Sequence, residues 1–269
     1  MSLVSTKWLE KNLSKVRIID ASWHMPNSKR NAYREYLKGH IENAVFFDLD
    51  KNSNEKSLLP HMLPNEEKWG KIVSDLGIKN SDHLIIYDNS DTISSCRCWY
   101  SFIYFGHTPD KVSILDGGLT KWVKEKKPLT DKIISFDKSE YAVIENKSLV
   151  KNKEQIEKNI ISKEFELIDA RSEQRFKGLT PEPRKGLKSG HIKDSKNIPF
   201  NECLNKNDRT FKNKDELIKI FKKQNINNKN VVFTCGSGVT ACVLGLANSI
   251  ISGKTPIIYD GSWSEWGKE

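Results

Sequence analysis

A chain of 269 residues is long enough for one large domain or for two of roughly 130 residues. With 37% hydrophobic and 29% charged residues it reads as a soluble globular protein with a lysine-rich surface, and no run approaches the roughly 18 apolar residues of a membrane span. The net charge of +9 favours anionic substrates, but no compact basic run alternates with aromatics, which argues against nucleic-acid binding, and an odd count of five cysteines argues against a disulfide framework.

The N-terminal stretch to Glu10 has no basic region followed by an apolar core, and its missing arginines argue against a mitochondrial transit peptide. The cytoplasm is the expected compartment, since a reactive thiol needs reducing surroundings to persist. Val16 to Ala21 reads as a short apolar strand, and Trp23 just beyond it is either a cleft wall or a core residue. Gly39-His40-Ile41 follows. Leu58 to Pro64 has a proline at each end of a His61-Met62-Leu63 core and reads as a rigid structural loop. Leu84 to Tyr87 is a second strand, ending at Asp88. Cys96 and Cys98 flank Arg97 in a helical pattern, where two residues so spaced point to different sides and make a poor metal site. Val112 to Leu115 leads into Asp116-Gly117-Gly118 and Trp122. The polar stretch from 124 to 147, with Pro128, reads as a linker.

The same landmarks then recur in the same order. Phe165 to Ala170 matches Val16 to Ala21, and Gly190-His191-Ile192 matches Gly39-His40-Ile41. Val231 to Cys235 matches Leu84 to Asp88, and Pro256 to Ser262 with Trp266 matches Val112 to Gly118 with Trp122. Four paired landmarks indicate a duplicated domain. The helical spacing of Leu217, Ile218, Ile220 and Phe221 between short strands predicts, for each copy, an α/β fold with a parallel sheet and helices on both faces. The expected domains are 1–123 and 148–269, joined by the linker 124–147. Such an internal pair already forms a pseudo-dimer, so a monomer is expected.

The most specific chemistry lies after the strand Val231 to Thr234. It delivers Cys235-Gly236-Ser237-Gly238-Val239-Thr240 and then a helical run from Ala241. A cysteine at a strand end, a tight glycine loop and a helix start bring several N–H groups to one place. They stabilise negative charge on sulfur and favour the thiolate. The main-chain N–H groups of Gly236 through Thr240 are the candidate donors, with glycine letting the chain curl. The Thr240 hydroxyl is expected to bond within the loop or cap the following helix. In the first half Asp88 stands where Cys235 stands in the second. An aspartate offers no thiolate, so the first domain is expected to be non-catalytic and to cover the site of the second.

This loop resembles that of the rhodanese-type sulfurtransferases, and the sequence from Cys235 to Thr240 is most similar to their 3-mercaptopyruvate branch. The resemblance runs nearly the length of the chain and implies two tandem rhodanese-like domains, the second catalytic. A phosphatase loop would carry an arginine six residues after the cysteine, where this chain has Ala241. By the resemblance Cys235 takes sulfur as a persulfide, so neither metal nor organic cofactor is needed. Sulfur would pass from 3-mercaptopyruvate, leaving pyruvate, to a thiol such as thioredoxin or glutathione, or to cyanide. Arg175 and Arg184 match the pair that holds the donor's 2-oxo acid, for which a guanidinium fork offers parallel donors. Arg171 is expected to be an ion-pair partner instead.

The branch also implies a serine, histidine and aspartate that handle the proton. The loop serine is Ser237 and the histidine would be His40. At the aspartate position this chain has Asn31, so Asn31 orients the ring, Glu35 substitutes, or the relay is dispensable. The repeat of Gly-His-Ile at His191 leaves a structural role for His40 open. Two rivals remain: a thiosulfate sulfurtransferase, disfavoured because Gly236 and Ser237 bring no positive charge to a dianion, and a non-catalytic persulfide- or partner-binding module.

Overall fold

A computed structural model of the protein describes residues 2–226 and 230–268. The strands among the described residues are β1 Leu3–Val4, β2 Arg17–Asp20, β3 Ala44–Phe46, β4 Leu84–Tyr87, β5 Val112–Leu115, β6 Val150–Lys151, β7 Glu166–Asp169, β8 Lys196–Asn197, β9 Val231–Thr234 and β10 Ile257–Tyr259. They form two five-stranded sheets, ordered β1-β5-β4-β2-β3 and β6-β10-β9-β7-β8, and every pairing is parallel. The second order is the first with five added to each number, so the duplication is one of topology as well as sequence.

In the first unit, alternation along the strands divides the apolar residues between two faces. Ile18, Ile85, Tyr87 and Leu115 pack with Leu9 of helix α1 (Thr6–Glu10), Tyr36 of α2 (Ala32–Lys38) and Trp122 of α5 (Gly118–Lys124). The residues between them, Ile19, Ile86 and Ile114, are buried too and face the other way. There α3 (Glu66–Asp75) and α4 (Ser95–Tyr104) meet through Trp69 edge-on to Phe102.

The second unit repeats the scheme. Leu167, Val232 and Tyr259 pack with Ile156 of α6 (Lys153–Ser162) and Trp263 of α10 (Ser262–Trp266). A short helix α7 (Glu173–Phe176) follows β7. On the opposite face α8 (Lys214–Lys223) starts on a reciprocal Asn213–Glu216 capping box and buries Leu217, Ile220 and Phe221, with Phe221 edge-on to Phe233. Full burial of side chains of this size stabilises by roughly 1.5–3 kcal/mol each. Helix α9 (Ala241–Ser252) buries all of its first seven residues.

The chain divides into compact units differently from the boundaries its composition suggests. One unit takes residues 1–55, 63–146 and 206–210; the other takes 56–62, 147–205 and 211–269. Residues 124–146 of the expected linker 124–147 instead pack on the first unit. The Arg17 guanidinium lies 3.4 Å from the Phe136 ring centre, Tyr141 pairs with His107 at 3.0 Å, and Asn80 binds both backbone groups of Ala142. Tyr141 is buried and Phe136 half-buried, while Leu129, Ile133 and Ile144 stay exposed.

Candidate active site

Cys235 follows the last residue of β9, the central strand of the second sheet. From β7 the chain steps outward to β8 and returns to β9 on the other side of β7. The loops that leave β7 and β9 therefore diverge, and a crevice opens at their carboxyl ends. One supplies Cys235, and the segment after β7, which includes α7, supplies Arg171, Arg175 and Arg184.

The cysteine loop is nearly closed to solvent: Cys235 is 2% exposed, Ser237 5% and Val239 3%. Gly238 has φ of +77°, a left-handed conformation that tightens the loop and that a side chain would resist. Among the described residues, the amides of Gly236, Ser237, Val239 and Thr240 donate to no backbone carbonyl, so they are unspent. Thr240 stands at the start of α9, but its side chain makes no capping bond. Its φ and ψ of −74° and −17° are already helical, whereas a capping residue is extended. Of the two roles expected for the Thr240 hydroxyl, the cap is therefore absent.

Burial alone pushes Cys98 well above the ordinary thiol range, and burial first, then the charge of Glu202, pushes Cys203 up to about 12. Cys242 turns its Sγ onto the Gly238 carbonyl at 3.2 Å.

Ser237 is held by a histidine, but not by His40. The His61 Nδ1 lies 3.0 Å from Ser237 Oγ, and both side chains are buried. His61 comes from the proline-bounded loop, whose residues 58–62 belong to the same compact unit as Cys235, and its own φ is +60°. His40 sits in the first unit, fully buried. Its Nδ1 bonds the Tyr36 carbonyl at 2.7 Å and its ring stacks on Tyr36 at 4.0 Å. His191 does the same with Phe176, at 2.9 Å and 4.1 Å. The Gly-His-Ile histidine is thus a structural element of both copies. Nor does either candidate orienting group reach it. The Asn31 side chain accepts from Arg34 N–H and caps α2, and Glu35 binds Arg30, His24 and Asn89. Trp23 is buried, its Nε1 donating to Asp50.

The two arginines converge on the cysteine loop. A Cβ placed on Gly236 would lie 3.0 Å from Arg175 Nη2 and 3.9 Å from Arg184 Nη1, so glycine here is what lets the guanidinium groups close over the loop. Arg175 is held by Glu182 through Nη2 to Oε2 at 2.6 Å and Nε to Oε1 at 3.2 Å. The same carboxylate takes Arg171 Nη1 at 2.8 Å. Arg171 is completely buried, bound to both oxygens of Asp169 and lying over the Trp263 ring at 4.2 Å. Burial works against its charge, yet Asp169 and Glu182 outweigh that and raise its pKa. Arg171 is an ion-pair partner, as its place beside the strand end suggested.

The first unit carries an aspartate at the corresponding place. Asp88, at the place of Cys235, turns its carboxylate back to accept the amides of Ser90 at 2.8 Å and Ser95 at 2.9 Å. Its own loop thus supplies the anion for those donors, and burial raises the Asp88 pKa despite them. Among the described residues, no cluster of three His, Cys, Asp or Glu is placed to hold a metal.

The model of the rhodanese-like domain matches this chain twice, over residues 5–125 and 152–269. The chain belongs to the rhodanese family. It is 38% identical over 275 residues to the 3-mercaptopyruvate sulfurtransferase of Mus musculus, covering 98% of this chain and 91% of that one. It is 39% identical over 292 residues to the mitochondrial thiosulfate/3-mercaptopyruvate sulfurtransferase 1 of Arabidopsis thaliana, covering 99% of this chain and 76% of the relative. Its fold superposes on SseA of Escherichia coli, a 3-mercaptopyruvate sulfotransferase, with a TM-score of 0.88 and 34% identity, covering 98% and 100% of the two chains.

Proposed function

We propose that the protein is a sulfurtransferase that moves sulfur from 3-mercaptopyruvate through a Cys235 persulfide to a thiol or cyanide acceptor. The single observation that carries the reading is the convergence of Arg175 and Arg184 over Gly236, beside Cys235, in a loop that has no charged side chain of its own. Two guanidinium groups suit the carboxylate and ketone oxygens of a 2-oxo acid. An uncharged loop offers nothing extra to the second charge of thiosulfate.

In the first half-reaction the Cys235 thiolate attacks the donor sulfur and the carbon–sulfur bond breaks. The electron pair of that bond goes to carbon, leaving the enolate of pyruvate. The proton lost from the donor thiol is returned to that carbon, and Ser237 with His61 is the pair we assign to move it. The cysteine now carries the outer sulfur as an anionic persulfide, for which the unspent amides of Gly236, Ser237, Val239 and Thr240, together with Gly238, form the cradle. In the second half an acceptor thiolate attacks the outer sulfur, the sulfur–sulfur bond breaks, and the Cys235 thiolate returns. The carrier is the cysteine itself, so the cycle calls for no metal or organic cofactor.

The duplication within the chain favours a working monomer, and the persistence of a reactive thiol favours the cytoplasm. No helix among the described residues is long and apolar enough to cross a membrane. The reading is tested by following pyruvate release with mercaptopyruvate beside thiocyanate formation with thiosulfate, both with cyanide as acceptor. Mercaptopyruvate should be used at least about tenfold more efficiently, since one charge fewer approaches the anionic sulfur. A preference for thiosulfate would assign the other donor, and no turnover with either would leave a non-catalytic binding module.

A further inference from the structure

The backbone of the sulfur-carrying cysteine is gripped by the first three residues of α10. Ser262 Oγ accepts from Cys235 N–H at 3.2 Å and donates to the Tyr259 carbonyl at 2.8 Å. Trp263 N–H binds the Cys235 carbonyl at 2.9 Å. The Gly236 carbonyl takes both Ser264 N–H at 2.8 Å and Ser264 Oγ at 2.6 Å. All three residues of the grip are buried, Ser262 completely.

Ser262 adopts a backbone conformation that serine avoids. Its φ is +50°, in the left-handed region that favours glycine. The first unit has glycine at the same place: Gly118, at φ +55°. There the main-chain bond survives, Leu119 N–H to the Asp88 carbonyl at 3.0 Å, matching Trp263 and Cys235. The hydroxyl bonds do not survive. Gly118 has no side chain, and Thr120, at the place of Ser264, is exposed and makes no such bond among the described residues. Two copies of one fold thus differ at this corner in the same way as they differ at the cysteine. The copy with the thiol keeps two serine hydroxyls on the loop and tolerates a disfavoured φ to place one of them. The copy with Asp88 has relaxed to glycine. A conformation that local preference opposes, kept only where the chemistry is, points to a use for the side chain that adopts it.

We propose that Ser262 and Ser264 are positioning residues for Cys235, fixing its amide and the Gly236 carbonyl so that the sulfur sits within the cradle of loop amides. The inference rests on the sulfur-carrier role given to Cys235 above. Preorganised donors stabilise an anion only at the position they are aimed at, so a looser cysteine backbone weakens the thiolate and slows its attack.

The test uses the full-length protein and the variant Ser262→Gly, which removes the hydroxyl, suits the left-handed φ and copies the first unit. Alkylation of Cys235 by iodoacetamide is followed against pH, with the labelled peptide identified by mass. The thermal midpoint should stay level or rise. The pH midpoint of alkylation should rise by about one unit, which is about tenfold less thiolate at neutral pH. Pyruvate release should lose roughly tenfold in kcat with the KM for mercaptopyruvate within about twofold. Ser264→Ala should shift alkylation in the same direction and Ser264→Thr should restore it. An unchanged alkylation profile and kcat in folded Ser262→Gly would overturn the proposal; should that variant not fold, the same result in Ser264→Ala would do so. Wild-type Cys235 unreactive at neutral pH would instead count against the sulfurtransferase reading itself.

Discussion

Replacing Arg175 by alanine separates donor binding from the fold more cleanly than any other change at the site. Glu182 occupies Nε and Nη2 of Arg175, and Nη1 makes no hydrogen bond among the described residues. The change therefore removes one charge-assisted bond to the donor, worth about 1.5–3 kcal/mol. At about 1.4 kcal/mol per factor of ten, catalytic efficiency with mercaptopyruvate should fall roughly 10- to 150-fold. The structural loss is smaller. The Arg175 side chain is 24% exposed, and Glu182 keeps its bond to the buried Arg171, so about 1 kcal/mol is the expected cost in stability. Arg175→Lys keeps the charge but cannot engage both Glu182 oxygens and still present a fork, so it should recover only part of the efficiency. Initial rates of pyruvate release across a range of donor concentrations, beside a thermal melt, measure both effects. Efficiency within twofold of the wild type in Arg175→Ala would refute the assignment of this arginine to the donor.

Arg184→Ala should lower efficiency by a similar factor in the same assay, since its guanidinium reaches the same loop. His61→Ala should lower kcat roughly 10- to 100-fold with little change in KM, because it holds the Ser237 hydroxyl rather than the donor; His40→Ala should lower the thermal midpoint and leave kcat within about twofold. Gly236→Ala should raise the KM for mercaptopyruvate by displacing Arg175, whose Nη2 would stand 3.0 Å from the new methyl group. Burial first of all pushes the Asp20 carboxyl up to about 6. The unfolded chain then releases this proton earlier than the folded one, so the first unit loses stability as pH rises from about 4 to 6. Denaturant melts across that range should show the loss, and Asp20→Asn should flatten it.

What the sequence made legible is what lies close together along the chain. Strand β9, Cys235, the glycine loop and the start of α9 are consecutive, so their geometry follows from local rules. The duplication was legible because the strand ends repeat in order. Arg175 and Arg184 sit nine residues apart, yet nothing local says that they close over Gly236, 52 residues or more downstream; the resemblance to a family was needed for that. The partner of Ser237 was not legible. His61 is 176 residues away, and its one local signal was a rigid proline-bounded loop. His40 drew attention through its Gly-His-Ile setting, and the recurrence of that setting at His191 was the mark of a structural role. Asn31, considered as an orienting group, is a helix cap, the commonest use of asparagine before a helix. The stretch 124–146 looked like a linker because its composition is polar, but Phe136 and Tyr141 are enough to dock it. Ser262 stood out in sequence only as the serine opposite Gly118 in the repeat, and what that difference does is visible only in the backbone angle and the bonds of its hydroxyl.

The most direct measurement is the intact mass of the full-length protein after brief exposure to mercaptopyruvate without an acceptor. The account predicts a gain of about 32 Da, one sulfur atom, located on Cys235 by peptide mapping. Adding cyanide should discharge it, and Cys235→Ser should abolish the gain while the melt stays intact. The same mass on Cys203 or Cys242, or its persistence in Cys235→Ser, would contradict the claim that Cys235 carries the sulfur.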